Sequence, residues 1–282
     1  MSGPLAAATV LAVLCFAAVA CAAKSSAPKA PPPPAPPQPI RFFTADSVAL
    51  DGLWYPAGTR APVLVLAPRR RGVDDELHAT ATEFQKRGFQ ALTFQLRDPA
   101  PPSRERDSLR YAVLVSHWVD DMVAALRAAR VRGDSTAHLY AWGQGLGGSL
   151  TIAAAARSSG LCDAIAAEDI IATVDRVMRD RGTAVIPDAV SLQWRVMQGG
   201  DEPFSAAARL NLPVFAILDG PQVQPADPVF QTFRRNRGHT DRWLRPGVGS
   251  PPPAPSPAEV DTLAEWFRRW DSFPPAREKG PR

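Results

Sequence analysis

His138-Leu139-Tyr140-Ala141-Trp142-Gly143-Gln144-Gly145-Leu146-Gly147-Gly148-Ser149 is the stretch on which the fold turns. Its first five residues, uncharged after His138, read as a buried strand. Four glycines follow within the six residues Gly143 to Gly148. Glycine reaches positive φ without steric cost and lets another backbone come close, so this is a sharp turn under tight packing. Ser149 is expected to open the next element, a small-residue helix through Leu150, Ile152 and Ala153 to Ala156. A strand that feeds a glycine turn and then a helix is one half of a parallel β-α-β unit.

The same alternation extends on both sides. Upstream, Arg41 to Leu50 and Gly52 to Tyr55 read as two strands joined by a tight Asp51-Gly52 turn. Val63-Leu64-Val65-Leu66 is a continuous apolar run, as in a strand covered on both faces. Asp75 to Arg87 predicts an amphipathic helix with Leu77, Ala81 and Phe84 inward, and Gln90 to Phe94 the next strand. Val119 to Ala129 predicts a helix with Met122, Ala125 and Leu126 inward. Downstream, strands are expected at Ala164 to Ala167 and Pro213 to Leu218, and a closing helix at Val260 to Trp270. Strands alternating with helices imply an α/β fold, a mostly parallel sheet with helices on both faces.

The N-terminus reads as an address. Leu5 to Ala23 is an unbroken run of small and apolar residues ending in Ala18-Val19-Ala20-Cys21. Small residues before a cut site suit a secretory signal peptide over residues 1–20. The tetrapeptide also resembles a bacterial lipobox, which would leave Cys21 lipidated at the mature N-terminus. A soluble secreted chain and a retained anchor are the alternatives, the run being just long enough to span a bilayer. All three place the domain outside the cytoplasm, with the cell envelope the expected location. Residues 21–40 follow as a tether rich in proline, from Pro28 through Pro31–Pro34 to Pro39. Proline favours extended polyproline II, so about twenty residues would span about 60 Å. One domain is then expected over 41–273, with a tail at 274–282.

Composition excludes several classes. Of 282 residues, 45% are hydrophobic and 21% charged, which suits a globular domain, and the net charge of +4 comes from scattered Lys and Arg. Scattered basic residues are a solvated surface, and no nucleic-acid module is visible. Cys15 lies inside the apolar run and Cys21 near its end, so only Cys162 remains for the folded domain and no disulfide within it is possible; Cys162 is expected to be buried and inert. The spacing of His78, His117 and His138 fits no metal site, and neither a metal nor a cofactor is expected.

The glycine turn resembles the nucleophile elbow of the α/β-hydrolase family, a strand-turn-helix of pattern G-x-S-x-G. Here it reads Gly143-Gln144-Gly145-Leu146-Gly147, with Gly145 where the serine belongs. The resemblance implies an acid after the Pro213–Leu218 strand. Spacing puts it near Gln222 or Val223, with Asp219 early and Asp227 late. It also implies a histidine after a Pro-Gly-x-Gly stretch, yet Pro246-Gly247-Val248-Gly249 is followed by Ser250, and no histidine lies beyond His239. A serine triad needs nucleophile, base and orienting group together, and all three positions are altered. The family's oxyanion segment would be Ala67-Pro68-Arg69-Arg70-Arg71-Gly72, where Pro68 has no N–H to offer. Arg69 would then sit at the cleft rim, where it could favour an anion or be simply solvated.

These residues imply a degenerate, non-catalytic member that binds an unidentified small molecule or envelope protein, with the membrane reached through the lipid. Two other readings stay open. Gly143-x-Gly145-x-x-Gly148, with Glu168 and Asp169 about twenty residues on, matches a dinucleotide fingerprint. An active ester or amide hydrolase could use a displaced triad of Ser149 or Ser158 with His239 and Asp241. A plain glycine-rich loop is the remaining possibility for the turn itself.

Overall fold

The computed structural model describes residues 34–69, 75–97, 108–170, 203–219, 224–225, 227–245 and 254–276; at 108–115, 219 and 228 it describes the backbone only. Eight strands form one sheet: β1 (Gln38–Phe43), β2 (Ala49–Tyr55), β3 (Val63–Ala67), β4 (Gln90–Phe94), β5 (Leu139–Gln144), β6 (Ala164–Glu168), β7 (Val214–Asp219) and β8 (Thr240–Arg245). The helices are α1 (Asp75–Lys86), α2 (Ser108–Arg132), α3 (Leu146–Arg157), α4 (Pro203–Ala207), α5 (Pro228–Arg234) and α6 (Pro257–Arg268). Strand order is β1-β2-β4-β3-β5-β6-β7-β8. The β1–β2 and β2–β4 pairs are antiparallel and the rest are parallel, so the sheet is mostly parallel as expected.

Alternation along each strand sorts side chains to two faces, and both are covered. Val63, Val65 and Ala67 join the core against α2 and α3, with Met122, Leu126 and Ile152. Leu64 and Leu66 point the other way and join Phe84, Leu263 and Phe267 of α1 and α6. This is why β3 reads as continuous apolar sequence: neither face meets water. In register, Val65 lies between Leu92 of β4 and Ala141 of β5, placing the glycine turn after β5 at the centre of the sheet.

Several expectations need correction. The first hairpin turns at 44–48, not at Asp51-Gly52: Thr44 N–H donates to Val48 O at 3.0 Å and Ser47 takes φ 65°. Gly52 lies inside β2 because a Cβ there would stand 2.6 Å from the Thr93 carbonyl oxygen of β4. The last residues of the expected tether, from Gln38 on, belong to β1. Helix α2 runs 25 residues, beyond its amphipathic centre. Helix α3 begins at Leu146 rather than Ser149, with Gly145 as its N-cap. Strand β8 and the short α4 and α5 were not expected. Helix α6 starts at Pro257 behind a capping box in which Ser256 and Glu259 bond each other's backbone N–H. Cys162 is buried as expected, and burial pushes its thiol up to about 12, so it is unreactive at neutral pH.

Candidate functional site

Gly145 stands at the tip between β5 and α3 with φ 59° and ψ −120°, a region that residues with a Cβ rarely enter. Its N–H donates to the Glu168 carbonyl oxygen at 2.9 Å, and its own carbonyl accepts from Ser149 N–H at 3.2 Å. These bonds fix the tip between β6 and the first turn of α3. A Cβ at Gly145 would meet only Arg69 Cγ, at an ordinary 3.6 Å. The other glycines are there for a different reason. A Cβ on Gly143 would stand 2.3 Å from the backbone of Gly147, and one on Gly147 would stand 2.6 Å from Ala67 O. A Cβ on Gly148 would come within 2.9 Å of Gly143 O. Close approach of α3 to β3 and β5 therefore excludes side chains at 143, 147 and 148, while the tip excludes them only by conformation.

A polar network spans the same edge of the sheet. Arg69, just past β3, donates to Gln144 Oε1 at 2.7 Å and to Glu76 Oε2 at 2.7 Å. Gln144 Nε2 donates to Glu168 Oε1 at 3.0 Å. Arg245, at the end of β8, bonds both Glu168 and Glu259. Glu259 in turn accepts from Ser256 N–H at 2.6 Å. Hydrogen bonding from Arg245, aided by Ser256 and opposed by burial, holds the Glu259 carboxyl at about 2. Gln144, Glu168 and Arg245 are all buried. Below the network lies a cavity of about 20 Å³ between Arg69, Glu76, Thr80, Trp142 and Gln144, about the size of one water.

Gly143, Gln144, Gly145, Leu146, Gly147 and Arg69 lie together at this edge of the sheet. Arg69 is half-buried and bonded to Gln144, rather than a solvated rim charge. Cys21, Arg70, Arg71, Gln222, Val223, Ser250 and the Pro246–Gly249 stretch lie outside the described residues. Asp219 ends β7, and Asp227 caps α5, accepting from Val229 N–H at 2.7 Å.

All four histidines are described, and no hydrogen bond ties any of them to the 143–148 turn. His78, on α1, bonds the hydroxyl of Tyr55 at the end of β2. His117 lies 3.7 Å from Asp120 on α2. His138 and His239 precede β5 and β8, at the edge opposite the tip. His239 Nε2 is 3.0 Å from Asp241 Oδ1, a base–acid pair. Hydrogen bonding from Trp266 and His239 holds the Asp241 carboxyl below its usual range, against partial burial. Ser149 instead donates its hydroxyl to Gly145 O at 3.2 Å, and Ser158 caps the C-terminus of α3.

The Glu168 carboxylate is bonded to Gln144 and Arg245, so of the two acidic residues of the dinucleotide pattern this one is not presented to a ribose; Asp169 follows it at φ 44°. Among the described residues no group of three or more His, Cys, Asp or Glu could hold a metal. No helix there is long and apolar enough to cross a membrane. The Gln144–Glu168–Arg245–Glu259 chain was not foreseen; the Ser256-x-x-Glu259 spacing was its one local signal.

No protein-family model and no curated protein matches the sequence. Solved structures do match in fold. The Pyrococcus furiosus esterase Pf2001 aligns with TM-score 0.59 at 15% identity, over 84% of this chain and 93% of that one. The α/β hydrolase GrgF from Penicillium sp. sh18 aligns with TM-score 0.59 at 16% identity, over 85% of this chain and all of that one. An acetyl xylan esterase from Paenibacillus sp. R4 gives 0.58 at 16% identity, over 82% and 83%.

Proposed function

We propose, from the premise of an α/β-hydrolase fold with glycine at its nucleophile position, that this protein acts by binding and not by catalysis. It would be held in the cell envelope by a lipidated Cys21 and the proline-rich spacer, and would recognise a small molecule or an envelope protein. The observation that carries the reading is Gly145, in the conformation of an elbow tip with no side chain to attack a substrate. Covalent hydrolysis needs an activated nucleophile within reach of a base. The base is wanting as well, since every histidine in the chain is bonded or placed elsewhere.

A displaced triad is the second reading, and the His239–Asp241 pair is what favours it. Against it, no hydrogen bond joins His239 to Ser149 or Ser158, and Ser149 is spent on the carbonyl of Gly145.

The test is labelling with a fluorophosphonate probe alongside hydrolysis of short activated esters. The wild-type protein is expected to do neither. Gly145→Ser alone should stay near background, because a serine without a base is a weak nucleophile. Gly145→Ser combined with Ser250→His should do better. Strong wild-type labelling at any serine overturns the binding-only reading and promotes the displaced triad.

A further inference from the structure

Arginines that are scattered in the sequence gather at one edge of the sheet. The parallel strands begin at the edge opposite Gly145, and β1, antiparallel to β2 as β4 is, begins there too. The turn from α5 into β8 carries Arg234, Arg235 and Arg237, all exposed. Backbone bonds hold this turn beside the entry of β7: Arg237 N–H donates to Leu210 O at 3.0 Å, and Val214 N–H donates to His239 O at 2.9 Å. Helix α6 ends at the same edge and adds the exposed Arg268 and Arg269. Arg269 stands 3.9 Å from Asp241 of β8, so the two groups of arginines adjoin.

Few acids offset them. Asp241 is bonded to His239 and Trp266, and Asp271 accepts from the Tyr140 hydroxyl at 2.6 Å. Among the described residues no ion pair engages Arg234, Arg235 or Arg237; Arg235 lies over the Phe204 ring at 4.3 Å. An apolar group stands beside these cations. Phe273, beyond the end of α6, is 57% exposed, with its ring 5.6 Å from Trp270. Behind it lies a cavity of about 330 Å³ that His138 and Trp270 also line, so the ring is not packed into the sheet.

The chain enters the domain at this edge as well. Gln85, in the last turn of α1, donates through Nε2 to Ala35 O at 2.8 Å, just ahead of β1. The end of α1 adjoins the end of α6, where Arg268 donates to Arg87 O. The proline-rich segment thus joins the domain beside the arginines. Gly145 lies at the far end of the strands, and a strand of six residues such as β5 spans about 20 Å.

We propose that this edge is a docking face for an anionic lipid bilayer. Arginine binds phosphate through paired N–H donors, and a negative membrane surface attracts cations that come within a Debye length of it. An aromatic side chain among the cations suits the headgroup boundary, where its ring leaves water. A second copy of this chain is disfavoured because it would set like charges together, and a soluble polyanion would leave Phe273 in water. Docked in this way, the domain holds its elbow edge away from the bilayer. The inference rests on the surface of the domain itself and does not require a lipid on Cys21.

The test is co-sedimentation of the chain from residue 34 onward with lipid vesicles. These residues form a compact unit of their own, and both hydrophobic cores lie within it. Leaving out 1–33 removes Cys21, so failure of the lipid anchor and failure of this face are separate results. The chain is expected to bind vesicles that contain phosphatidylglycerol, to bind pure phosphatidylcholine at least about tenfold more weakly, and to be released by salt. Arg234→Gln and Arg237→Gln should each weaken binding about fivefold, and the triple change with Arg235→Gln about a hundredfold. Phe273→Ser should weaken it about tenfold. Phe43→Glu removes an exposed ring and adds a negative charge at the opposite edge, and should leave binding unchanged. Circular dichroism confirms that each variant is folded, and the lipid and salt dependence of the unaltered sequence needs no variant. No binding to phosphatidylglycerol vesicles, equal binding to phosphatidylcholine, or a triple variant that binds like the wild type overturns the proposal. It falls equally if Phe43→Glu weakens binding as much as the triple change, since net charge alone would then be at work. Tighter binding of a single-stranded oligonucleotide than of the vesicles also overturns it, and would make the edge a nucleic-acid surface.

Discussion

Alanine placed at Gly143 and at Gly145 should have unequal effects, because the two glycines are needed for different reasons. At Gly143 a Cβ would stand 2.3 Å from both the carbonyl carbon and the oxygen of Gly147, where ordinary contact begins at 3.4 Å. The first turn of α3 would have to retreat by about 1 Å, and overpacking against backbone reaches the upper end of the usual 1–3 kcal/mol or beyond. Retreat is opposed on the far side, where Gly147 is packed against Ala67 O of β3. At Gly145 the space is open, the nearest atom being Arg69 Cγ at 3.6 Å. There the cost is conformational, about 1–2 kcal/mol for a residue with a Cβ at positive φ. A domain of this size loses about 2–4 °C of midpoint per kcal/mol, so Gly143→Ala should lower Tm by about 6–12 °C and Gly145→Ala by about a third to two-thirds as much. Thermal melts followed by circular dichroism measure both shifts, and urea titrations with an unchanged slope confirm that stability alone has moved. If Gly145→Ala costs as much as Gly143→Ala, the tip is closed to side chains, and its description as an elbow that has only lost its serine is wrong.

Three further outcomes follow from the polar edge and the leader. Arg245→Met leaves Glu168 buried against Gln144 without its cation and should cost about 3–5 kcal/mol in urea titration, with Glu168→Gln in the same chain recovering part of it. Glu259 is held at about 2 against an ordinary 4.5, so its ion pair with Arg245 stabilises fully above pH 4.5 and is lost as pH falls through 2. Stability followed from pH 6 to pH 2 should therefore drop more in the wild type than in Glu259→Gln; parallel curves would mean the pair contributes nothing. Mass spectrometry of the mature protein should find a lipid on Cys21 at the N-terminus, and an unmodified Cys21 or an intact Met1 sinks the lipid anchor.

Much of the sheet was legible because its central strands are apolar on both faces. Val63–Ala67 and Gln90–Phe94 contain no turn residue and sit between segments that do, and β3, β4, β5 and β7 were placed within two residues on that ground. The elbow was legible because glycine spacing is a local property: Gly143, Gly145, Gly147 and Gly148 are needed by atoms within a few residues or on the adjoining strands. Strand β8 escaped because Thr240-Asp241-Arg242-Trp243-Leu244-Arg245 carries three charges on a half-exposed edge strand, where no apolar run marks it. The first turn was misplaced because Asp-Gly is a strong hairpin signal when read alone. What sets Gly52 inside a strand is a carbonyl on β4, forty-one residues away at Thr93.

By itself, then, the sequence determined the α/β alternation, the position of the glycine turn and the glycine at its tip, since each follows from residue type and near-neighbour spacing. Only the tertiary structure decided which charges meet. Glu168 and Arg245 are seventy-seven residues apart and are joined because β6 and β8 flank β7 and end at the same edge. His138 and Trp270 reach one cavity because β5 begins where α6 ends. Long-range pairing of polar side chains depends on strand order, and strand order is settled by packing two apolar faces at once, which no local pattern records.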